Sequence, residues 1–266
     1  MGNGHSTIGT DRIQVDIDRF AGGRVAQIRF DGMPLLIGPG DAGSDAVSWG
    51  AYPMVPWAGR IRNGRFDFDG ERYRLPPNQG EHAMHGVGHV LPWDEDDRSD
   101  ESIDLSLGLP SDERWPFGGS VTQHVEVDTT GISFAMTVTA ADRAFPVSFG
   151  WHPWFRKPQE LDFRPDSMYR RDEDHVAVDE LVAVSLGPWD DCFVNHEPVR
   201  LTIDGVAVTL SSDCTHWVVY DEPAHATCVE PQTGPPDAFN IRPRIIQRFG
   251  SAEASYRMDM ATLDSK

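Results

Sequence analysis

Four stretches of this 266-residue chain, 52–64, 82–86, 149–155 and 229–239, gather polar groups among aromatic ones. They hold the imidazoles of His82, His85 and His152, the carboxylates of Glu230 and Asp237, the guanidinium of Arg60, and the indoles of Trp57, Trp151 and Trp154. A carboxylate that titrates near ~4.3 and an imidazole near ~6.5 make a base and an acid usable around neutral pH. Indole faces stack on the C–H faces of sugars, and Arg, Asn and Asp satisfy hydroxyls, so these surroundings suit a polyhydroxylated ligand. The chain has no Gly-x-Ser-x-Gly elbow and no glycine-rich phosphate loop, so acyl transfer and nucleotide chemistry lack their usual marks. Each residue taken singly has a plainer reading. A lone Glu is most often solvated, and a His beside Pro and Trp is often a hydrogen-bonded core residue.

The elements that must position these groups read as β-strands. Ile13, Val15 and Ile17 alternate with Gln14 and Asp16. Ile103, Leu105, Leu107 and Leu109 repeat the pattern, followed by Val125 and Val127, then Ile132, Phe134, Met136 and Val138, and finally Tyr256, Met258 and Met260. A period of two puts each apolar set on one face of a pleated strand. Asp69-Gly70 separates Phe66 and Phe68 from Tyr73 and Leu75, and Asp204-Gly205 separates Leu201 and Ile203 from Val206, Val208 and Leu210. Both pairs predict tight hairpins, whose two turn positions need positive φ. No stretch sustains a 3.6-residue period, and 25 Gly with 20 Pro punctuate the chain. The expected fold is all-β, a sandwich or barrel, as one domain over residues 1–266 without internal repeats. The stretches rich in Pro, Gly and acid, at 38–45, 92–101 and 157–175, read as loops.

Composition narrows the partners. With 23 Lys and Arg against 42 Asp and Glu, the formal charge is −19, which repels phosphate backbones and anionic lipid and argues against nucleic-acid and membrane-surface roles. Lysine occurs only at Lys157 and Lys266. Cys192, Cys214 and Cys228 are too few, and odd in number, for a disulfide framework, which fits a reducing compartment. No apolar run approaches the ~18 residues of a membrane span, and the opening MGNGHSTIG lacks the flank and apolar stretch of a secretory signal. Met1-Gly2 with Ser6 formally fits a myristoylation pattern, but without polybasic support an ordinary flexible start is the reading. Cytoplasm is the expected location.

Several motifs in register resemble those of the aldose 1-epimerases (galactose mutarotases) over most of the chain. Ala58-Gly59-Arg60-Ile61 resembles the family's Asn-Arg-Ile segment, followed by the Gly-Arg-Phe…Asp-Gly hairpin. Asn78…His85-Gly86 resembles its Asn…His-Gly motif, and Gly150-Trp151-His152-Pro153-Trp154-Phe155 its His-Pro-Tyr-Phe motif. Asp190-Asp191-Cys192-Phe193 is similar to a later Asp-containing turn. Glu230-Pro231-Gln232 with Pro236-Asp237-Ala238 resembles the Glu-x-Gln…Pro-Asp-Ala motif. The resemblance implies a large antiparallel β-sandwich of the galactose mutarotase type with an open sugar cleft. It implies Glu230 as the base at the anomeric hydroxyl and His152 as the acid at the ring oxygen. Arg60, His85, Asp190, Trp154 and Gln232 would bind the sugar, with no metal or organic cofactor, in a monomer or homodimer. Such a pair needs His152 protonated while Glu230 is charged, and nearby carboxylates would favour that imidazolium.

Three positions depart from the resemblance: Gly59 stands where the family often has Asn, Trp154 where many members have Tyr, and valine fills Val218 near where many carry Gln. A related reading is a hexose-6-phosphate epimerase, with Arg62, Arg65, Arg72 and Arg74 supplying charge for a phosphate, though alternating Arg on a hairpin is more often a solvated face. A third is a silent sugar-binding module of the same fold. A metal site at His82, His85 and His89 matches no standard zinc spacing. Trp57, Trp93 and Trp217 could stack on sugar or simply pack the core.

Overall fold

Residues 4–41 and 46–263 are described by the computed structural model. Met1 and Gly2 of the formal myristoylation pattern, Lys266 and part of the expected 38–45 loop therefore lie outside the described residues. Each alternating run is a strand. Ile13–Asp18, Ser102–Gly108, Ser120–Val127, Gly131–Thr139 and Ser251–Thr262 carry the apolar sets read from the sequence, and those side chains are buried. Both Asp-Gly pairs are left-handed turns. Asp69 and Gly70, at φ 51° and 77°, join Arg65–Phe68 to Glu71–Arg74, while Asp204 and Gly205, at 47° and 83°, join Val199–Ile203 to Val206–Ser212.

Among the described residues the strands form two large antiparallel sheets, of 11 and 8 strands, with three two-stranded ribbons beside them. The expected large antiparallel β-sandwich is thus present. Two of the stretches read as loops are partly strand. Asp94–Arg98 and Glu160–Asp162 form the two edges of the smaller sheet, and Ser167–Arg171 lies one strand in from an edge of the larger. Edge strands tolerate charge because much of their surface meets water, so acid-rich composition concealed Asp94–Arg98 and Glu160–Asp162, while Ser167–Arg171 was concealed by the Pro and acid that flank it.

Near the middle of the larger sheet, Gly150–Arg156 lies between Ala51–Met54 and Ala226–Gln232, and His216–Tyr220 follows on the far side. Alternation splits these strands cleanly. Trp151, Phe155, Trp217, Val219 and Val229 join the core cluster shared with the other sheet. Tyr52, Met54, Trp154 and Cys228 form a separate cluster, and Val218 and Cys192 another. The Trp151 indole N–H donates to Gln123 Oε1 at 3.0 Å, and the Gln123 amide donates to the Gly23 carbonyl, a buried polar tie between the two sheets. Trp57, Trp93 and Trp217 are also core residues, each donating its indole N–H to a backbone carbonyl (Ala83, Gly88 and Cys214), so they are not stacking platforms. Among the described residues, no helix is long and apolar enough to cross a membrane.

Candidate active site

Sheet register assembles the centre of the site. Gly150 pairs with Gln232 and Trp154 with Cys228, which sets His152 directly opposite Glu230 on the neighbouring strand. On the outer sides, His152 pairs with Tyr52, and Glu230 with Val218, which in turn pairs with Cys192. Residues in one transverse row point to the same face, here the face turned away from the shared core. His152 Nε2 lies 3.2 Å from Glu230 Oε1, and the other carboxylate oxygen accepts from Gln232 Nε2 at 3.1 Å. The His152 ring stacks on Tyr52 (centroids 4.7 Å apart, 24° between planes) and on Trp154 (5.5 Å, 14°). This packing fixes the imidazole rotamer.

The pair forms the floor of a cavity of about 320 Å³, near the lower end of the range for small-molecule sites. Its walls include all seven residues expected from the sequence: Glu230, His152, Arg60, His85, Asp190, Trp154 and Gln232. Arg60 and His85 come from a small ribbon, Arg60–Ile61 against Ala83–Met84. Asn78 clamps that ribbon from outside, its side chain accepting from the Met84 N–H at 2.7 Å and donating to the Met84 carbonyl at 3.0 Å. The Asp237 N–H donates to the Arg60 carbonyl at 2.7 Å, and its carboxylate accepts from the Arg62 N–H at 2.9 Å. Asn78 and Asp237 are therefore holders of the site, and neither lines the main cavity. Gly59 is needed where it stands. Its φ is +66°, a Cβ there would meet Pro236 at 2.9 Å, and its N–H donates to His85 Nδ1 at 3.2 Å. That bond leaves the His85 proton on Nε2.

Burial decides the electrostatics. Desolvation, helped by the Asp190 charge, pushes the Glu230 carboxyl well above its ordinary range, against the opposing pull of Gln232 and Arg60. Desolvation, with His89 and Arg24 adding to it, pulls the His152 imidazole down to about 3. Burial also lowers His85 well below an ordinary imidazole. The imidazolium expected at His152 is therefore disfavoured in the free site. Loss of water outweighs the attraction of nearby carboxylates, and both shifts oppose the charge-separated pair. Asp190 is likewise raised by burial, while Arg171 donates to it at 3.0 Å and also contacts Asp191 at 2.8 Å.

Other expected groups fall elsewhere. Arg62, Arg65, Arg72 and Arg74 do not line the main cavity, and Arg62 is held by Asp172 and Asp174, and Arg72 by Asp67. His82 and His89 are also absent from its walls: His82 Nδ1 accepts from the Asn63 N–H at 3.1 Å, and His89 Nδ1 faces the His85 carbonyl at 3.1 Å. Among the described residues, the metal-competent group is instead a ring nitrogen of His152, the Cys228 sulfur and a Glu230 carboxylate oxygen, all within 4.8 Å of one another. Tyr52, Gln79, Arg171, Tyr220 and Glu222 also line the cavity without having been singled out from the sequence. Tyr52 had a signal, since it opens one of the four polar-aromatic stretches. Arg171 sits in a stretch that reads as loop, so nothing local marked it.

A family model described as Aldose 1-epimerase matches residues 7–256. The chain belongs to the aldose 1-epimerase family. Within sequence space it is 32% identical over 136 residues to the uncharacterized protein YphB of Escherichia coli (strain K12), covering 50% of this chain and 46% of YphB. It is 28% identical over 130 residues to the aldose 1-epimerase of the same organism, covering 47% of this chain and 37% of that protein. The matched stretches thus span less than half the length of these two relatives. Among solved structures, a putative aldose 1-epimerase from Escherichia coli K12 superposes with a TM-score of 0.85 at 20% identity, covering 97% of this chain and 99% of that one. A galactose 1-epimerase from Lactobacillus acidophilus superposes with a TM-score of 0.83 at 16% identity, covering 98% and 95%. At such identities the likeness establishes the fold, and aldose 1-epimerase family members share this sandwich.

Proposed function

We propose that this protein interconverts the α and β anomers of an aldohexose by opening and reclosing the pyranose ring. The observation that carries the reading is the direct opposition of His152 and Glu230, 3.2 Å apart, at the floor of a polar and aromatic cleft. Glu230 takes the proton from the C1 hydroxyl as the C1–O1 bond becomes a carbonyl and the C1–O5 bond breaks. His152 gives a proton to O5. Rotation about C1–C2 presents the other face of the aldehyde, and the two transfers run in reverse. The reaction needs one proton on the pair, and a bound sugar with Arg60 nearby favours the carboxylate form of Glu230 by supplying donors. Arg60, His85, Asp190, Gln232 and Trp154 would hold the remaining hydroxyls and the sugar face. Each proton transfer contributes about 10²–10⁴-fold.

Pure anomers followed by optical rotation test this. Acceleration over the buffer rate should fall at least a hundredfold in Glu230→Gln and in His152→Ala. Unchanged rates in both variants would remove the assignment, and tight sugar binding without acceleration in the wild type would favour the silent binding module. A phosphorylated hexose is the poorer candidate, because Asp190, Asp191 and Glu222 share the cleft with Arg60 and Arg171, leaving it acidic.

A further inference from the structure

We infer that the floor of this cleft is also a binding site for a thiophilic divalent cation of the zinc class, held by His152, Cys228 and Glu230 in competition with the sugar. The three side chains come from two adjacent strands. Cys228 and Glu230 lie two residues apart and so share a face, while His152 faces Glu230 across the ladder. Their nitrogen, sulfur and oxygen donors already lie within 4.8 Å of one another. Tetrahedral zinc, with bonds of about 2.0–2.3 Å, holds such donors roughly 3.3–3.6 Å apart, so side-chain shifts of about 1 Å close the set.

The donor types suit a borderline-soft ion, and three protein ligands leave one position open. That position faces the cavity, because His152 and Glu230 line it while Cys228, two residues from Glu230 on the same strand, is fully buried. Binding forms the metal–sulfur bond as the Cys228 S–H proton leaves to solvent, and the one proton shared by His152 and Glu230 leaves with it. The thiolate and the Glu230 carboxylate then neutralise the dication, so the buried charges compensate.

The surroundings make the ion an inhibitor and not a resident cofactor. A ligating histidine ordinarily directs its second ring nitrogen to a carboxylate, carbonyl or water outside the metal's own shell. Here His152 Nδ1 has no hydrogen-bond partner among the described residues, and Nε2 faces Glu230, itself a ligand. With either nitrogen on the metal, the protein offers the other no separate support. The same residues would have to release the ion before they could meet a sugar.

Cobalt(II) titration of the whole protein, followed by absorbance, reads the site without any reference to turnover. A sulfur-to-cobalt charge-transfer band with tetrahedral ligand-field bands is expected in the wild type. It should be missing in Cys228→Ala and Cys228→Ser and kept in Cys192→Ala. Zinc affinity, measured by isothermal titration calorimetry, should fall at least tenfold in both Cys228 variants. A wild-type spectrum with no thiolate band, or zinc affinity within twofold of wild type in either folded Cys228 variant, overturns the inference. The inference shares residues with the proposed epimerase and not its chemistry. Failure of anomer interconversion would leave the cobalt spectrum standing, and its absence would leave polarimetry untouched. Where turnover is observed, zinc should raise the apparent KM for the sugar without lowering kcat, reversed by EDTA.

Discussion

His152 and Glu230 announce acid–base chemistry by type, but which of them carries a proton depends on how much water reaches them. Burial moves the imidazole down to about 3 and the carboxyl up, so the pair holds a single proton across a pH range wider than either free group would allow. The sign has a kinetic consequence. The acid limb of kcat/KM should fall far below the ~6.5 of a solvated imidazole, because a second proton joins the pair only near the depressed His152 value. A pH profile between 4 and 8 checks this, and a limb centred near ~6.5 would show His152 titrating as though solvated. The four polar-aromatic stretches exposed the chemistry in the sequence, while the neutral bias of the pair was invisible there. Desolvation arises only when Tyr52, Trp154 and Cys228 close around the ring.

Elements differ in how openly they declare themselves. Asp69-Gly70 and Asp204-Gly205 were legible because their left-handed turns demand those residues locally. Ser167–Arg171 was hidden because it is a short strand inside a stretch, 157–175, whose Pro and acidic residues on either side read as loop, and Arg171, partner of Asp190, was hidden with it. The turn at Asp128 makes a testable element. Its carboxylate accepts from the Thr130 N–H, the Thr130 hydroxyl and the Gly131 N–H, which holds its pKa at about 2 against the ordinary 3.8. A depressed pKa means stabilisation fully present above the unfolded value and lost as the pH falls through the folded one. Asp128→Asn should lower the urea midpoint at pH 6, with the gap to wild type shrinking between pH 4 and pH 2. At Gly59, a Cβ strained by φ +66° and facing Pro236 should cost Gly59→Ala about 1–3 kcal/mol in urea unfolding. The same variant should lower kcat/KM severalfold as His85 shifts.

On the scale of the whole molecule, a formal charge of −19 and an acidic cleft set which ligands approach. Glucose 6-phosphate should be converted at least tenfold less efficiently than glucose, with the gap narrowing as salt rises from 10 to 300 mM, because screening weakens repulsion between exposed charges first. Equal efficiency at low salt would contradict that. The strand-level alternation made the sandwich legible. The pairing of His152 with Glu230, 78 positions apart in sequence, was not, since register between Gly150–Arg156 and Ala226–Gln232 is a property of the assembled sheet.

That assembly separates two duties. The proposed acid–base pair rides on hydrogen-bonded central strands, whose spacing of about 4.8 Å is dictated by the backbone. Arg60 and His85 ride on a separate two-stranded ribbon pinned by Asn78 and Asp237. Under the proposed function, substitutions in the ribbon should therefore change which sugar is preferred while leaving the proton-transfer pair in place.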